Sequence, residues 1–259
     1  MKINKNNFTI IAGPCVIEDK KTCLTVAEFC NNICKSFDLN YIFKSSYKKA
    51  NRSSGKSYRG PGLVKGLKIL AEIKNKLKLN VLTDVHETKD VEEVSKVVDV
   101  LQIPAFLSRQ TELIEKAART GKWINIKKGQ FMSPNEIKLA YEKAQEAGSD
   151  KIFVTERGSS FGYNNLVVDF RNFKIIDDWN IPIIYDVTHS LQRPAIGKES
   201  GGKPKFALSM ANAATATGHL SGLFIETHPD PNKAKSDAKS MVDLKKFKKI
   251  IKQISKILN

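Results

Sequence analysis

Short apolar runs rich in β-branched and aromatic residues recur eight times, at 8–13, 40–45, 80–85, 98–103, 123–128, 151–156, 181–188 and 220–227. Runs of this length predict strands buried on both faces. Between them, apolar positions repeat at helical spacing. Leu63, Leu67, Leu70, Ile73 and Leu77 form one stripe, and Leu113, Ile114, Ala117 and Ala118 form another. Ser133-Pro134-Asn135-Glu136 reads as a capping box with proline at the first helical position. Gly121 and Gly148 read as helix stops. Strand then helix, eight times in 259 residues, predicts one parallel (β/α)8 TIM barrel occupying 1–259 as a single domain. A Rossmann sheet would also alternate, but no Gly-x-Gly-x-x-Gly follows the first strand.

The formal charge of +16 raises the question of nucleic acid or anionic lipid. Its distribution argues against both. Of the 43 basic residues 36 are lysine, and asparagine is also plentiful, a bias that an AT-rich genome produces by itself. The densest run, 245–252, falls on a helix whose apolar stripe is Leu244, Phe247, Ile250, Ile251, Ile254 and Ile257. The lysines are left on its wet face. No apolar run reaches the roughly 18 residues of a membrane span. The basic start at 1–7 leads into a strand and not into a signal-peptide core. These features predict a cytoplasmic protein with no membrane or nucleic-acid partner. Cys23, Cys30 and Cys34 share a helical stripe with Val26, Ala27, Ile33 and Phe37 and read as small core residues. Cys15 stands apart, after Gly13-Pro14 at the end of the first strand.

In a β/α barrel the C-terminal strand ends and their loops build the active site. Here they supply Cys15 from the first strand, and Lys44 followed by Lys49, Asn51, Arg52 and Ser53 from the second. The third and fourth give Asp84 and His86, then Gln102 with Arg109 on its loop. The fifth and sixth give Lys127 and Lys128, then Glu156 and Arg157. The seventh gives Asp186, Thr188 and His189, and the eighth Glu226 and His228 with Asp237 beyond. Two chemistries separate out. Lys44, Lys49, Arg52, Lys127 and Arg157 carry more positive charge than one phosphate needs. Cys15, His189, Glu226 and Asp237 offer S, N, O and O from strands that adjoin in a closed barrel. That mixed set suits one divalent transition ion, Fe, Zn, Mn or Co, better than Ca or Mg. The Gly-rich segment 190–206 reads equally as a loop over the site or as a surface insertion.

Several segments resemble the 3-deoxy-D-manno-octulosonate 8-phosphate synthase family, also called 2-dehydro-3-deoxyphosphooctonate aldolase. They are Ala12-Gly13-Pro14-Cys15-Val16-Ile17-Glu18, the stretch 43–54 with Lys49-Ala50-Asn51-Arg52-Ser53-Ser54, and Thr83-Asp84-Val85-His86-Glu87. Leu101-Gln102-Ile103-Pro104-Ala105-Phe106, Ile126-Lys127-Lys128-Gly129-Gln130, Asp186-Val187-Thr188-His189-Ser190 and Ile225-Glu226-Thr227-His228-Pro229 continue the likeness over nearly the whole chain. The loop 191–197 departs from it, reading Arg193-Pro194-Ala195 where the family has a Pro-Gly sequence.

The resemblance implies a homotetrameric barrel enzyme that condenses phosphoenolpyruvate with D-arabinose 5-phosphate in lipopolysaccharide inner-core synthesis. It implies a phosphoenolpyruvate site of Lys44, Lys49, Gln102, Lys127 and Arg157. It implies a sugar-phosphate site of Asn51, Arg52, Ser53 and an Arg109 donated across an interface. Lys49, Asn51, Asp84 and His189 are its expected catalytic residues. Cys15 places the chain in the metal-dependent branch, with Cys15, His189, Glu226 and Asp237 as ligands; a metal-independent branch has asparagine at that position. The alternatives are the related 3-deoxy-D-arabino-heptulosonate 7-phosphate synthase, which uses erythrose 4-phosphate, and a Schiff-base aldolase using Lys127 or Lys128. The related synthase carries Lys-Pro-Arg-Thr where this chain has Lys49-Ala50-Asn51-Arg52. A nucleic-acid-binding protein is a third alternative, resting on charge alone.

Overall fold

In the computed structural model, which describes residues 1–51, 57–193 and 201–259, eight parallel strands close on themselves. They are β1 (Thr9–Gly13), β2 (Asn40–Lys44), β3 (Asn80–Asp84), β4 (Val100–Ile103), β5 (Trp123–Lys127), β6 (Ile152–Glu156), β7 (Ile183–Asp186) and β8 (Gly222–His228). Closure is the parallel pairing of β1 with β8, from Thr9 opposite Gly222 to Gly13 opposite Glu226. Around them lie α1 (Lys20–Lys35), α2 (Leu63–Leu77), α3 (Val91–Ser95), α4 (Thr111–Ala118), α5 (Pro134–Glu146), α6 (Arg171–Asp177), α7 (Ala207–Ala216) and α8 (Leu244–Leu258). The expected (β/α)8 barrel is therefore present, with every strand in its expected place. No helix among the described residues is long and apolar enough to cross a membrane.

Strand periodicity divides the core in two. Ile11, Ile42, Leu82, Val100, Phe153, Ile184 and Phe224 form one buried cluster, one residue from each of seven strands. Trp123 of β5 and Ile3 of the N-terminal segment pack with it. This is the floor of the lumen. Residues of the opposite parity, such as Ile10, Phe43, Val81, Leu101 and Ile126, join a second cluster with the apolar stripes of the helices. Side chains two positions apart share a face. Thus Lys44, Asp84, Gln102, Asp186 and Glu226 each follow a floor residue by two positions and face the lumen. Asn125 and Lys127 follow Trp123 in the same way, as Thr155 and Arg157 follow Phe153.

Local signals behave as their chemistry requires. Ser133 and Glu136 form the reciprocal capping box of α5, and Gly121 and Gly148 both take positive φ. Cys23, Cys30 and Cys34 are fully buried on α1. On α8, Phe247, Ile250, Ile251 and Ile254 are buried, while Ile257 is exposed in its last turn. The seventh strand is shorter than the 181–188 expected. Pro182 has no N–H to give the ladder, and after Val187 the Thr188 hydroxyl replaces a backbone acceptor for Glu226 N at 2.8 Å. Of segment 190–206, Gln192–Arg193 pairs antiparallel with Gly201–Gly202. The Pro194-Ala195 part of the departing loop lies outside the described residues.

At Gly222 the barrel wall leaves no room for a side chain, since a Cβ there would stand 2.0 Å from the Thr9 carbonyl oxygen. Gly222→Ala must push β1 and β8 apart. It is expected to lower stability by about 1–3 kcal/mol or more, read as a lower urea midpoint.

Candidate active site

The lumen-facing strand ends open into a cavity of about 540 Å³, lined by Lys44, Lys49, Asn51, Asp84, Gln102, Lys127, Arg157, His189 and Asp237 among others. It thus brings together many of the residues singled out in the sequence. Three of its cations are matched by carboxylates. Lys44 Nζ lies 2.6 Å from Glu226 Oε1 and donates to the Cys15 carbonyl at 2.9 Å. Lys127 pairs with Asp186, its ammonium 3.7 Å from the centre of the Phe224 ring. Lys49 stands 3.8 Å from Asp84. Burial alone would raise the carboxyl pKa values of Asp84, Asp186 and Glu226. Lys44 first for Asp84 and Glu226, and for Asp186 the His189 imidazole and the Lys127 ammonium, hold all three below the usual range. Burial likewise opposes the Lys49 charge, but Cys15, Asp84, Glu226 and Asp237 hold its pKa above normal.

Arg157 is arranged differently. It donates to two neutral acceptors, the His189 carbonyl at 3.2 Å and Gln192 Oε1 at 2.9 Å. Its Nη1 is buried with no hydrogen-bond partner among the described residues. Burial lowers its pKa. A buried guanidinium nitrogen without an acceptor is costly, and an anionic oxygen in the cavity beside Lys127 would satisfy it.

Across the lumen runs a chain of hydrogen bonds that converge on Asp84. Thr155 Oγ1 donates to Asn125 Oδ1 at 2.7 Å, and Asn125 Nδ2 donates to Gln102 Oε1 at 2.8 Å. Gln102 Nε2 and Ser46 Oγ both donate to the Asp84 carboxylate. Asn125 and Thr155 were not anticipated as part of the site. Their signal was present: a polar residue within a strand buried on both faces needs a partner. Ser46 and Gln192 carried no comparable signal.

Near the β1 and β8 ends, Cys15, Glu226 and Asp237 place their ligand atoms within 4.8 Å of one another. Cys15 Sγ donates to Asp237 Oδ2 at 2.7 Å and lies 2.9 Å from Ser236 Oγ. Asp237 has a left-handed backbone, φ 50°, which aspartate tolerates better than most residues. His189 stands outside that trio. Its Nδ1 is 2.8 Å from Asp186 Oδ2, and its Nε2 is 3.6 Å from Glu226 Oε2. This carboxylate–imidazole arrangement turns Nε2 toward the trio, as in metal-binding histidines. Glu226 Oε2 is buried without a hydrogen-bond partner among the described residues. Burial first, then Asp237 and Glu226, push the Cys15 thiol well above its usual pKa, so only a strong cation would make it a thiolate ligand. The donor set and the orphaned carboxylate oxygen fit a divalent transition ion.

Arg52 and Ser53 lie outside the described residues. Arg109 is exposed after β4 and does not line this cavity. Lys128, one of the two alternative Schiff-base lysines, points away from the cavity and is held by four acceptors.

The DAHP synthetase I family profile matches residues 2–259. A 2-dehydro-3-deoxyphosphooctonate aldolase of Koribacter versatilis is 48% identical over 99% of this chain and 93% of its own length. Proteins of the same name from Polaromonas sp. and Syntrophobacter fumaroxidans are 49% and 45% identical, over 95% and 97% of this chain and 89% and 88% of their own. With close to half its residues shared over nearly its full length, the chain belongs to the 2-dehydro-3-deoxyphosphooctonate aldolase family, within the DAHP synthetase I family.

Proposed function

We propose that this chain is an aldol-type condensing transferase. It joins phosphoenolpyruvate, D-arabinose 5-phosphate and water into 3-deoxy-D-manno-octulosonate 8-phosphate and inorganic phosphate, for the lipopolysaccharide inner core. The observation that carries this reading is the buried Arg157 Nη1, without a hydrogen-bond partner among the described residues, in a cation-rich cavity that Lys127 also lines, in a chain so similar to aldolases of that name. The barrel is the whole catalytic domain, working in the cytoplasm as a homotetramer.

Lys127 and Arg157 hold the phosphate of phosphoenolpyruvate, Lys49 its carboxylate, and Lys44 and Gln102 complete that site. Asn51 and Asp84 orient the sugar, whose phosphate is met by Arg52, Ser53 and the Arg109 of a neighbouring subunit. Carbon 3 of phosphoenolpyruvate bonds to the aldehyde carbon. Water adds at carbon 2, and the phosphate leaves. Cys15, His189, Glu226 and Asp237 would hold one divalent transition ion, Fe, Zn, Mn or Co. That ion, when bound, supplies positive charge where the aldehyde oxygen becomes negative. Lys49 and His189 stand beside this charge, and the cavity's matched ion pairs keep its polarity fixed before substrate enters.

Phosphate release from phosphoenolpyruvate tests the reading, with arabinose 5-phosphate and erythrose 4-phosphate supplied in parallel. Release is expected with the five-carbon sugar. A preference for erythrose 4-phosphate would replace it with the seven-carbon synthase. A borohydride-trapped adduct would favour the Schiff-base aldolase.

Arg109 and Arg52 make a separate test. Each Ala variant should lose about 1.5–3 kcal/mol of sugar-phosphate binding, seen as a raised KM for arabinose 5-phosphate. Mixed oligomers of the two variants should regain activity by rebuilding intact sites. No recovery after verified subunit exchange would place Arg109 outside the site.

A further inference from the structure

Lys128 and Glu156 each adjoin a cation of the cavity, yet neither faces it. Strand parity turns Lys127 and Arg157 into the lumen and their neighbours outward. Both outward residues are 1% exposed. Lys128 Nζ lies 3.0 Å from the Met132 carbonyl, 3.1 Å from Ser159 Oγ, 3.3 Å from the Gly129 carbonyl and 3.5 Å from Glu156 Oε1. Glu156 Oε1 accepts from Gly158 N at 2.6 Å, and its Oε2 accepts from Asn172 Nδ2 at 3.0 Å. One buried pair therefore ties together the loop after β5, the loop after β6 and the first turn of α6.

Such a pair is a poor way to gain stability. Desolvation consumes most of its attraction, and apolar residues of similar volume are often as good or better. What it supplies is a fixed register. The peptide at 127–128 and the peptide at 156–157 are each pinned on their outer side. The inner side chains of Lys127 and Arg157 thereby keep one direction relative to each other.

We propose that Lys128 and Glu156 are positioning residues for the phosphate subsite, locking the two strand ends so that Lys127 and Arg157 meet the same phosphate group. This rests on the proposed assignment of that subsite to phosphoenolpyruvate.

The test compares wild type with the double variant Lys128→Met/Glu156→Met and with Glu156→Gln. Thermal unfolding, calorimetric titration with phosphoenolpyruvate alone, and KM for both substrates are measured. A double variant as stable as wild type is expected to bind phosphoenolpyruvate about tenfold more weakly, as small misplacements of binding groups do. KM for arabinose 5-phosphate should stay within about twofold in the same variant. Unchanged phosphoenolpyruvate binding in a folded variant overturns the proposal. So does an equal loss for both substrates, which marks general loosening, and so does failure of both variants to fold, which marks a purely structural pair. If wild-type protein neither binds nor consumes phosphoenolpyruvate, the functional assignment itself falls. Intact wild-type activity with unaffected variants removes only the positioning role.

Discussion

Stripped of transition metal, the protein is expected to lose most of its turnover, and added Mn, Co, Zn or Fe should restore it. The expected loss is a factor on the order of 10²–10³, the several kcal/mol that a Lewis acid contributes to charge stabilisation. The expectation rests on Cys15, Glu226 and Asp237 meeting within 4.8 Å and on the buried Glu226 Oε2, which has no hydrogen-bond partner among the described residues. A readout independent of activity is available. Cobalt bound through Cys15 should give a thiolate charge-transfer absorption band that Cys15→Ser weakens or abolishes. Cys15→Asn is expected to retain activity in the presence of chelator, as the asparagine-bearing branch of the family works without metal. Asparagine also removes the need to deprotonate a thiol that burial and two carboxylates keep neutral. Full activity of the wild type in a verified metal-free preparation would sink the metal assignment.

Removing Lys127 should damage both folding and turnover. In Lys127→Met the fully buried Asp186 loses its cation. Leaving one member of a buried pair unmatched costs about 3–5 kcal/mol. The value should fall toward the lower end, because His189 N still donates to Asp186 at 2.9 Å. Turnover suffers separately. One charge-assisted contact to phosphate is worth about 1.5–3 kcal/mol, or roughly ten- to a hundredfold in kcat/KM for phosphoenolpyruvate. The double variant Lys127→Met/Asp186→Asn separates the two effects. It should regain stability, since no unmatched charge remains, and it should regain no affinity. A folded Lys127→Met protein with wild-type KM for phosphoenolpyruvate would show that Lys127 does not touch that substrate.

How much of this site could be read in advance follows from periodicity. Lys44, Asp84, Gln102, Lys127 and Glu226 lie at or near the C-terminal ends of mostly apolar strands, so their polarity stood out and the barrel fold told where they face. Asp186 was visible as a strand end, but its pairing with Lys127 spans 59 positions and has no local signature. The same holds for Cys15 with Ser236, 221 positions apart. Asn125 and Thr155 lay hidden inside runs recognised only as apolar. Lys128 and Glu156 were recognised as polar, but their outward direction appears only once strand bounds fix the parity. His189 was expected among the metal ligands and stands beside the trio, held there by Asp186.

Seven of the strands set their inward polar residues two or four positions on from an apolar floor residue. Deleting Phe43 from β2 would leave Ser45 where Lys44 now faces inward. Deleting Ile126 from β5 would place Lys128 in the lumen and turn Lys127 out among the helices. Single-residue insertions and deletions inside the strands are therefore frame-shifting errors at the level of the fold, harmful whatever residue is gained or lost. Two-residue changes keep the frame but alter the height of the floor. Length variation among chains built this way should accordingly gather in the helix-side connections, and the eight strand segments should align without gaps.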